Sequence, residues 1–255
     1  MKLTTWNVNG IRARLPRVLA WLKTHQPDLL CMQETKVPDD EFPWKELETV
    51  GYRVETHGQK GFNGVALASR EPLADVQKGF AGDPDPEQTR VISATWNGMR
   101  VYNLYVPNGQ EVGSDKFTYK LTWMERLLET LSAAHSPTDR LLACGDFNVA
   151  PEDRDIYKPE RWKGKVLCTA EERERFFALT RWGLTDGLRR LTPEPGIHTW
   201  WDYRLMAFQR GWGLRIDHVL LTEAAAEGLR SVTVDTEERA GEKPSDHAPL
   251  TAEWS

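Results

Sequence analysis

Polar side chains that could bind a metal or a phosphate follow several apolar, strand-like runs of this chain. The segments are KLTTWNVNG with Asn7, LLCMQET with Glu34, VYNLYVPN with Tyr105 and Asn108, LLACGDFN with Asp146 and Asn148, and LRIDHVLL around Asp217. Near the C-terminus, KPSDHAPL adds Asp246 and His247. In open α/β sheets, ligands bind outside the carboxyl ends of the strands. We therefore expect these groups to converge on one site, which their chemistry marks as the site of a metal-assisted hydrolase.

Glu34 closes an apolar run, where a buried carboxylate without a partner would cost several kcal/mol. Mg²⁺ suits such a position, because it takes one or two carboxylates together with waters and substrate phosphate. The alternative is a structural salt bridge to Lys36, which would be the commoner arrangement for an isolated glutamate. The other polar strand ends favour the metal site.

Asp146 and Asn148 are one residue apart, so in a continuing strand their side chains would point the same way and Phe147 the other way. Asp146 would then orient or deprotonate a water, and the neutral amide of Asn148 would donate to a phosphoryl oxygen. An Asx turn after the strand explains the same residues.

Asp217 lies within a strand-like run, where its carboxylate needs a partner. His247 is the candidate, because an aspartate that holds one imidazole nitrogen aims the other nitrogen at substrate. Adjacent residues of a strand face opposite sides, so His218 is assigned a structural role.

Three further segments carry weaker signals. Tyr105 and Asn108 lie in LYVPNG, where the phenol can donate to phosphate, although Pro-Asn-Gly is also an ordinary turn. Lys60 lies in the glycine-rich loop HGQKGFNG, which is either a plain hairpin or a phosphate contact. In HTWWDYR, one indole can pack inward while the other lines a surface pocket.

The elements that must position these groups are strands interleaved with helices. Ten strand-like runs extend from KLTTW to LTAEW, and helical spacing is present at Pro16 to Lys23, Leu121 to Leu131 and Glu171 to Trp182. Neighbouring runs such as GVALAS, RVISATW and MRVYNLYV indicate antiparallel pairs. The pattern predicts an α/β fold in which two mixed sheets pack as a sandwich, and without a linker residues 1–255 are predicted to be one domain.

Composition narrows the class of protein. With 40% hydrophobic residues in a chain of 255, the protein can bury a sizeable core. Three cysteines without CxxC spacing fit neither a disulfide framework nor a zinc site, and no apolar stretch approaches the roughly 18 residues of a membrane helix. No charged and apolar leader precedes Asn7. A cytoplasmic location without membrane contact is expected, and the net charge of -5 argues against a general nucleic-acid coat protein.

The ordered set WNVNGIRAR, QETK, LYVPNG, GDFN, WWDYR, GLRID and PSDHAP resembles the exonuclease III family of abasic-site endonucleases, within the endonuclease/exonuclease/phosphatase superfamily. The resemblance covers essentially the whole chain. It implies a four-layer sandwich, two packed mixed β-sheets flanked by helices.

The resemblance also implies roles for individual residues. It implies a site for Mg²⁺, which Mn²⁺ could replace, held chiefly by Glu34. The residues that it implies around the metal are Asn7, Glu34, Asp146, Asn148, Asp246 and His247. The implied catalytic set is Tyr105, Asp146, Asn148, Asp217 and His247, and the implied substrate-binding set is Asn7, Lys60, Asn108, Trp200, Leu214 and Ile216. The last three match an apolar pocket for an extrahelical abasic sugar.

The activity expected from this resemblance is hydrolysis of the phosphodiester 5' to abasic sites, with trimming and dephosphorylation of 3' ends. The partner would be double-stranded DNA with abasic sites or blocked 3' ends, bound by a monomer. One alternative is a phosphoesterase on the same scaffold that acts on a lipid or inositol phosphate, since fold does not fix substrate. A noncatalytic binding protein is the other, but it would not need a polar group at every strand end.

Overall fold

Two six-stranded β-sheets pack face to face in the computed structural model, which describes residues 1–255. The strands are β1 (Lys2–Asn7), β2 (Leu29–Gln33), β3 (Arg53–His57), β4 (Val65–Ser69), β5 (Ala74–Lys78), β6 (Val91–Trp96), β7 (Met99–Tyr105), β8 (Leu141–Asp146), β9 (Thr185–Asp186), β10 (Trp200–Trp201), β11 (Gly213–Leu214), β12 (Asp217–Leu221), β13 (Leu229–Val234) and β14 (Leu250–Trp254). The helices are α1 (Ile11–His25), α2 (Trp44–Glu48), α3 (Asp115–Ala134), α4 (Pro159–Trp162), α5 (Ala170–Trp182), α6 (Gly187–Leu191) and α7 (Glu223–Ala226).

Both large sheets are mixed and are built on the same plan. The first has the order β13-β14-β1-β2-β4-β3, and the second has the order β5-β6-β7-β8-β12-β9. Each contains one parallel pair, β1 with β2 and β7 with β8, flanked by antiparallel neighbours. Since a parallel connection needs a crossover, α1 and α3 follow β1 and β7 and cover the outer faces. The predicted sandwich of mixed sheets flanked by helices is confirmed.

The central strands are buried on both faces because each supplies two apolar layers. In β8, Leu142 and Cys144 face the other sheet, whereas Leu141 and Ala143 pack with helices α3 and α5. Every residue of β2, β4, β8 and β12 is buried. This is why these segments read as continuous apolar runs in the sequence.

A buried polar contact joins the two sheets below the strand ends. Gln33 Nε2 donates to Asn103 Oδ1 at 2.7 Å, and Asn103 Nδ2 donates to the backbone oxygens of Met32 and Ala66 at 2.9 Å each. A buried amide without partners would be costly, so this contact fixes the register of one sheet on the other. The edge that carries the polar groups is thereby held in place.

The helix predicted from Pro16 to Lys23 is longer in the structure than in the prediction, because α1 begins at Ile11 and continues through Pro16 to His25. Helix α3 likewise extends beyond the predicted segment on both sides. The strand predicted in LRIDHVLL begins only at Asp217, so this carboxylate lies at an amino end rather than within a strand. Because β12 is antiparallel to β8, its amino end meets the carboxyl end of β8. No α-helix in the structure combines the length and apolar character needed to cross a bilayer.

Candidate active site

The predicted polar residues meet at one edge, between the ends of the two sheets. Asn7, Tyr105 and Asp146 are the last residues of β1, β7 and β8. Glu34 follows β2 directly, and Asp217 pairs with Asp146 across the antiparallel ladder. Asp246 and His247 approach from the loop that leads into β14. One pocket edge therefore collects groups from both sheets.

Asn7 bridges two carboxylates. Its Nδ2 donates to Glu34 Oε1 at 2.8 Å and to Asp146 Oδ2 at 2.9 Å, and its Oδ1 accepts from the backbone N–H of Asn9 at 3.0 Å. The amide thus holds the acids of the two sheets close together without adding charge. In this arrangement the nitrogen, rather than the oxygen, of the Asn7 amide faces the carboxylates.

Glu34, Asp146 and His247 bring potential metal-binding atoms close together. One ligand atom from each lies within 4.8 Å of the others. Glu34 has a φ of 52°, a left-handed conformation that is uncommon for glutamate and is found at functional sites. Its other oxygen also forms the anticipated pair with Lys36, at 2.8 Å. The salt bridge and the cation site therefore share this carboxylate.

Asp246 lies beside the group formed by Glu34, Asp146 and His247 but is not part of it. Its Oδ1 accepts from Asn9 Nδ2 and its Oδ2 accepts from Trp200 Nε1, both at 2.9 Å. These bonds tie the β14 loop to the segment after β1 and to β10. The structure therefore places Asp246 as a link between the acidic group and the aromatic residues beside it.

His247 and Asp217 are paired in the interior. His247 Nδ1 lies 2.8 Å from Asp217 Oδ2, and its Nε2 points toward Asp146 Oδ2 at 3.6 Å. Burial alone would lower the pKa of His247, but the carboxylates of Asp217 and Asp146 outweigh it and raise the pKa to about 10. The imidazole is therefore a cation at neutral pH, with Nε2–H as a donor facing the pocket.

Asp146 is held by donors on both oxygens. Asn148 donates its backbone N–H to Oδ1 at 2.9 Å, which is the anticipated Asx geometry, and Asn7 donates to Oδ2. Burial raises the pKa of this carboxyl above its ordinary value; the His247 cation opposes the shift, while the charges of Asp217 and Glu34 add to it. A raised pKa makes Asp146 a better proton acceptor than an exposed aspartate.

The side chains of Asn148 and Asn108 form a pair above Asp146. Asn148 has a φ of 49°, so the strand does not continue through it. Its Oδ1 accepts from Asn108 Nδ2 at 3.0 Å, and its Nδ2 donates to Val106 O at 3.0 Å and to Asp146 Oδ2 at 3.3 Å. An amide nitrogen carries two N–H groups, so Asn108 keeps one for a ligand.

Tyr105 lies between the acids and a cation. Burial raises the pKa of its phenol well above 10, and the charges of Glu34 and Asp146 add to the shift. The guanidinium of Arg90 stands 4.8 Å over the ring centroid. Tyr105 therefore stays protonated and can donate to an anion.

The loop that carries Lys60 borders this site on the β4 side. Its backbone contacts Lys36, with Gly61 N–H donating to Lys36 O at 3.2 Å and Lys36 N–H donating to Asn63 O at 3.0 Å. Gly64 must be glycine, because its φ is 87° and a Cβ would meet Thr35 Oγ1 at 2.2 Å. Lys60 itself is exposed, and no side-chain partner holds it.

The three residues of the anticipated apolar pocket differ in exposure. Trp200 is half-buried and pairs with Leu214 across β10 and β11. Leu214 is 0% and Ile216 is 1% exposed, and they pack with Ile156, Leu167 and Cys168. Trp200 alone of the three therefore offers surface to a ligand in this structure.

Two groups that support the site carry no motif signal in the sequence. Lys120 is fully buried, and its Nζ donates to Asn148 O at 2.6 Å, Asn108 O at 3.1 Å and Glu172. Ser245 donates from Oγ to Asn7 O at 2.6 Å and accepts the backbone N–H of His247 at 3.2 Å. Ser245 lies within the PSDHAP segment, so its position offered a clue, whereas Lys120 lies in an amphipathic helix whose pattern predicts only packing.

Known proteins match this chain over its whole length. The model of the endonuclease/exonuclease/phosphatase family matches residues 4–247. The chain is 37% identical to exodeoxyribonuclease III of Haemophilus influenzae over 266 residues, covering 100% of both proteins.

Two solved structures share the fold. A 3' phosphatase, NExo from Neisseria, bound to a product DNA hairpin, is 46% identical with a TM-score of 0.96, over 100% of this chain and 99% of that one. An AP endonuclease from Archaeoglobus fulgidus is 41% identical with a TM-score of 0.97, over the same shares.

Proposed function

Because the chain belongs to the endonuclease/exonuclease/phosphatase family, we propose that it is a Mg²⁺-dependent DNA repair nuclease. It hydrolyses the phosphodiester on the 5' side of abasic sites, and it trims and dephosphorylates 3' ends. The full-length relatives support these activities, since one is an exodeoxyribonuclease, one an AP endonuclease and one a 3' phosphatase bound to DNA.

A single observation carries the proposal, namely a continuous series of polar contacts through both sheets. Asp217 holds His247, His247 faces Asp146, and Asn7 joins Asp146 to Glu34, with separations of 2.8, 3.6, 2.9 and 2.8 Å in that order. A proton acceptor, a cationic donor and the carboxylate of Glu34 thus lie within reach of one phosphate.

The donor set fits Mg²⁺. Glu34 and Asp146 supply hard carboxylate oxygens, and oxygen ligands with few protein carboxylates are what Mg²⁺ selects. The protonated imidazole of His247 is a poor ligand, because a bound metal needs its lone pair. We therefore assign Glu34, supported by Asp146, to the cation. When bound, Mg²⁺ supplies positive charge to the phosphoryl oxygens and to the departing 3' oxygen.

Side chains of the site supply the remaining functions, which are proton acceptance from the attacking water and hydrogen-bond donation to the phosphate. Asp146 accepts the proton of a water aligned opposite the leaving 3' oxygen, because its carboxylate is fixed by Asn7 and its pKa is raised by burial. The Nε2–H of His247, the phenol of Tyr105 and the remaining N–H of the Asn108 amide donate to the phosphoryl oxygens as negative charge grows, and Asn148 holds Asn108 in place.

Cations on the rim compensate for the net charge of -5. Arg161 and Lys165 are exposed beside Trp200, and Lys60 is exposed on the loop between β3 and β4. Such a rim attracts the DNA backbone while the carboxylates remain inside the pocket.

We also propose that residues 1–255 act as one domain and as a monomer. Strand β1 pairs with β14, so the first and last strands lie side by side, and all groups of the site come from one chain. The three unpaired cysteines support a reducing, cytoplasmic location.

The test is a substrate panel assayed with Mg²⁺ and with a chelator. An abasic-site duplex and a 3'-phosphate duplex should be cleaved only with the metal, whereas an inositol phosphate should not be turned over. Asp146→Asn should lower kcat by about 10²–10⁴-fold, the usual contribution of a positioned base, and leave DNA affinity within about twofold. Turnover of the inositol phosphate alone would overturn the proposal.

A further inference from the structure

Arg90 packs against Tyr105, one of the donors of the candidate active site, at the edge where the strands end. Its guanidinium stands 4.8 Å over the centroid of the phenol ring. The backbones are joined to the pair as well, because Arg90 Nη1 donates to Tyr105 O at 3.3 Å and Tyr105 N–H donates to Arg90 O at 2.8 Å. Val91 pairs with Leu104 in the ladder of β6 and β7, so the register of the sheet places Arg90 beside Tyr105.

A neutral side chain holds the other side of the Arg90 guanidinium. Arg90 Nε donates to Gln88 Oε1 at 2.8 Å, and Gln88 Nε2 donates to Asp85 Oδ2 at 2.6 Å. The guanidinium is therefore bonded to an amide oxygen and to the Tyr105 carbonyl oxygen. Because this group is planar, hydrogen bonds at two of its nitrogens fix the orientation of its plane as well as its position.

The plane of the Tyr105 ring decides where its O–H group points. The O–H bond of a phenol lies in the plane of the ring, because the oxygen is conjugated with the ring. The torsion that rotates a tyrosine ring is broad, so by itself it fixes this plane only weakly. A cation that is attracted to one face of the ring restricts both the rotation of the ring and the sideways movement of the side chain.

Arg90 and two of the proposed phosphate donors open onto the same space. Arg90, Tyr105 and Asn108 line a cavity of about 480 Å³, and Asn108 donates to Asn148 above Asp146. A half-buried cation in this position could act on the DNA directly or through Tyr105. The ring contact and the two backbone hydrogen bonds all join Arg90 to Tyr105, and they favour the second way.

On the basis of the proposed function, we propose that Arg90 is a positioning residue for phosphodiester cleavage, which sets the plane of the Tyr105 ring so that the phenol O–H points at a phosphoryl oxygen. Arg90 acts through Tyr105 and does not touch the reacting atoms. Its loss should therefore lower kcat and leave KM nearly unchanged, because the interaction that it supports is made in the transition state.

The test is a double-mutant cycle on an abasic-site duplex with Mg²⁺, made from Arg90→Gln, Tyr105→Phe and their combination. Arg90→Gln should lower kcat about tenfold, less than the roughly 10²-fold cost of an ångström of misplacement, because the Tyr105 N–H bond remains. In the Tyr105→Phe protein no hydroxyl remains to be aimed, so the same change should alter kcat by less than about twofold. An equal loss in both backgrounds would show that Arg90 acts on the DNA itself and would refute the proposal.

The mobility of the Tyr105 ring gives a readout that does not depend on activity. NMR relaxation of labelled tyrosine ring carbons should show faster reorientation of the Tyr105 ring in Arg90→Gln than in the unaltered protein. Equal rates would also refute the proposal. If the unaltered protein does not cleave the abasic-site duplex, the proposed function fails, while the relaxation measurement still decides whether Arg90 restrains the ring.

Two further variants separate this role from general effects on the fold. Arg100→Gln is the matched control, because Arg100 stands 5.4 Å over the ring of Tyr102 near the start of β7, and its loss should leave kcat and the Tyr105 ring unchanged. Gln88→Ala keeps the charge of Arg90 but removes the acceptor of its Nε, so it should lower kcat and speed the ring in the same direction as Arg90→Gln. It replaces Arg90→Gln if a thermal melt shows that variant to be unfolded.

Discussion

Lys120 Nζ donates to the backbone oxygen of Asn148 at 2.6 Å from a position with no solvent exposure. The same ammonium is paired with Glu172, which also accepts the N–H groups of Leu167 and Thr169 at 2.9 Å each. His218 Nε2 lies 2.8 Å from Val149 O on the next residue. The turn that carries Asn148 is therefore held from two sides by buried basic side chains.

Removing the lysine should misplace Asn148 and Asn108 together. Lys120→Met alone leaves Glu172 buried without its partner, which costs about 3–5 kcal/mol, so the matched variant is Lys120→Met with Glu172→Gln. We expect this double variant to fold and to lose about 10²-fold in kcat, with KM within a few-fold, because an ångström of misplacement is costly. Steady-state kinetics and a thermal melt would check it. Unchanged kcat would mean that the turn keeps its shape without the ammonium.

The pH profile should report the Asp217–His247 pair. His247 must be protonated to donate, so activity is lost as pH rises through its pKa, about 10. Asp217→Asn removes a charge that raises the pKa values of both His247 and Asp146, so both limbs of the profile should move to lower pH. Ser245→Ala removes hydrogen bonds to the backbones of Asn7 and His247 but no charged partner of the imidazole, so it should leave the alkaline limb in place. An alkaline limb that does not move in Asp217→Asn would exclude His247 as its source.

Metal affinity should respond in opposite directions to two neighbouring substitutions. Glu34→Gln removes the main anionic ligand and should weaken Mn²⁺ binding by at least about tenfold. Lys36→Gln removes a cation 2.8 Å from Glu34 Oε2 and should strengthen binding, because the ammonium competes for the same carboxylate. Titration of the Mn²⁺ electron paramagnetic resonance signal measures both. Equal affinity in all three proteins would place the metal elsewhere.

The sequence was most informative where apolar runs ended in polar groups. The sequence predicts that four polar side chains converge, those of Asn7, Glu34, Tyr105 and Asp146. The inference is strong because a polar side chain at the end of a buried strand needs a polar partner, and few partners other than one another are near. Strand β5 gives little signal, because four of its five residues are exposed and only Val76 packs against the core. The role of Lys120 could not be predicted from the sequence, because it depends on a contact with Glu172, which is distant along the chain.

Acid sensitivity should trace to a buried ion cluster behind the site. Asp155 accepts from Arg215 Nε at 2.8 Å and pairs with Arg189, while Arg215 Nη1 donates to Asp186 at 2.7 Å. Burial would raise the pKa of Asp155, but the guanidiniums outweigh it and lower the pKa below 3.8. Because the pKa of this carboxyl is lower in the folded state than in the unfolded state, where it is about 4, its charge stabilises the fold at pH values above about 4. That stabilisation is lost as the pH falls through the pKa of the folded state.

Asp155→Ala should therefore lower the free energy of unfolding at pH 7 by about 3–5 kcal/mol, because it leaves Arg215 buried with fewer partners. It should also make the free energy of unfolding fall less steeply between pH 5 and pH 3, about the range in which the protonation of this carboxyl differs between the folded and unfolded states. Urea unfolding at several pH values measures both effects. Asp153→Ala is the matched control, because that carboxylate is 72% exposed in its pair with Arg173 and should change stability little. Equal losses in the two variants would show that the buried cluster does not set the acid limit.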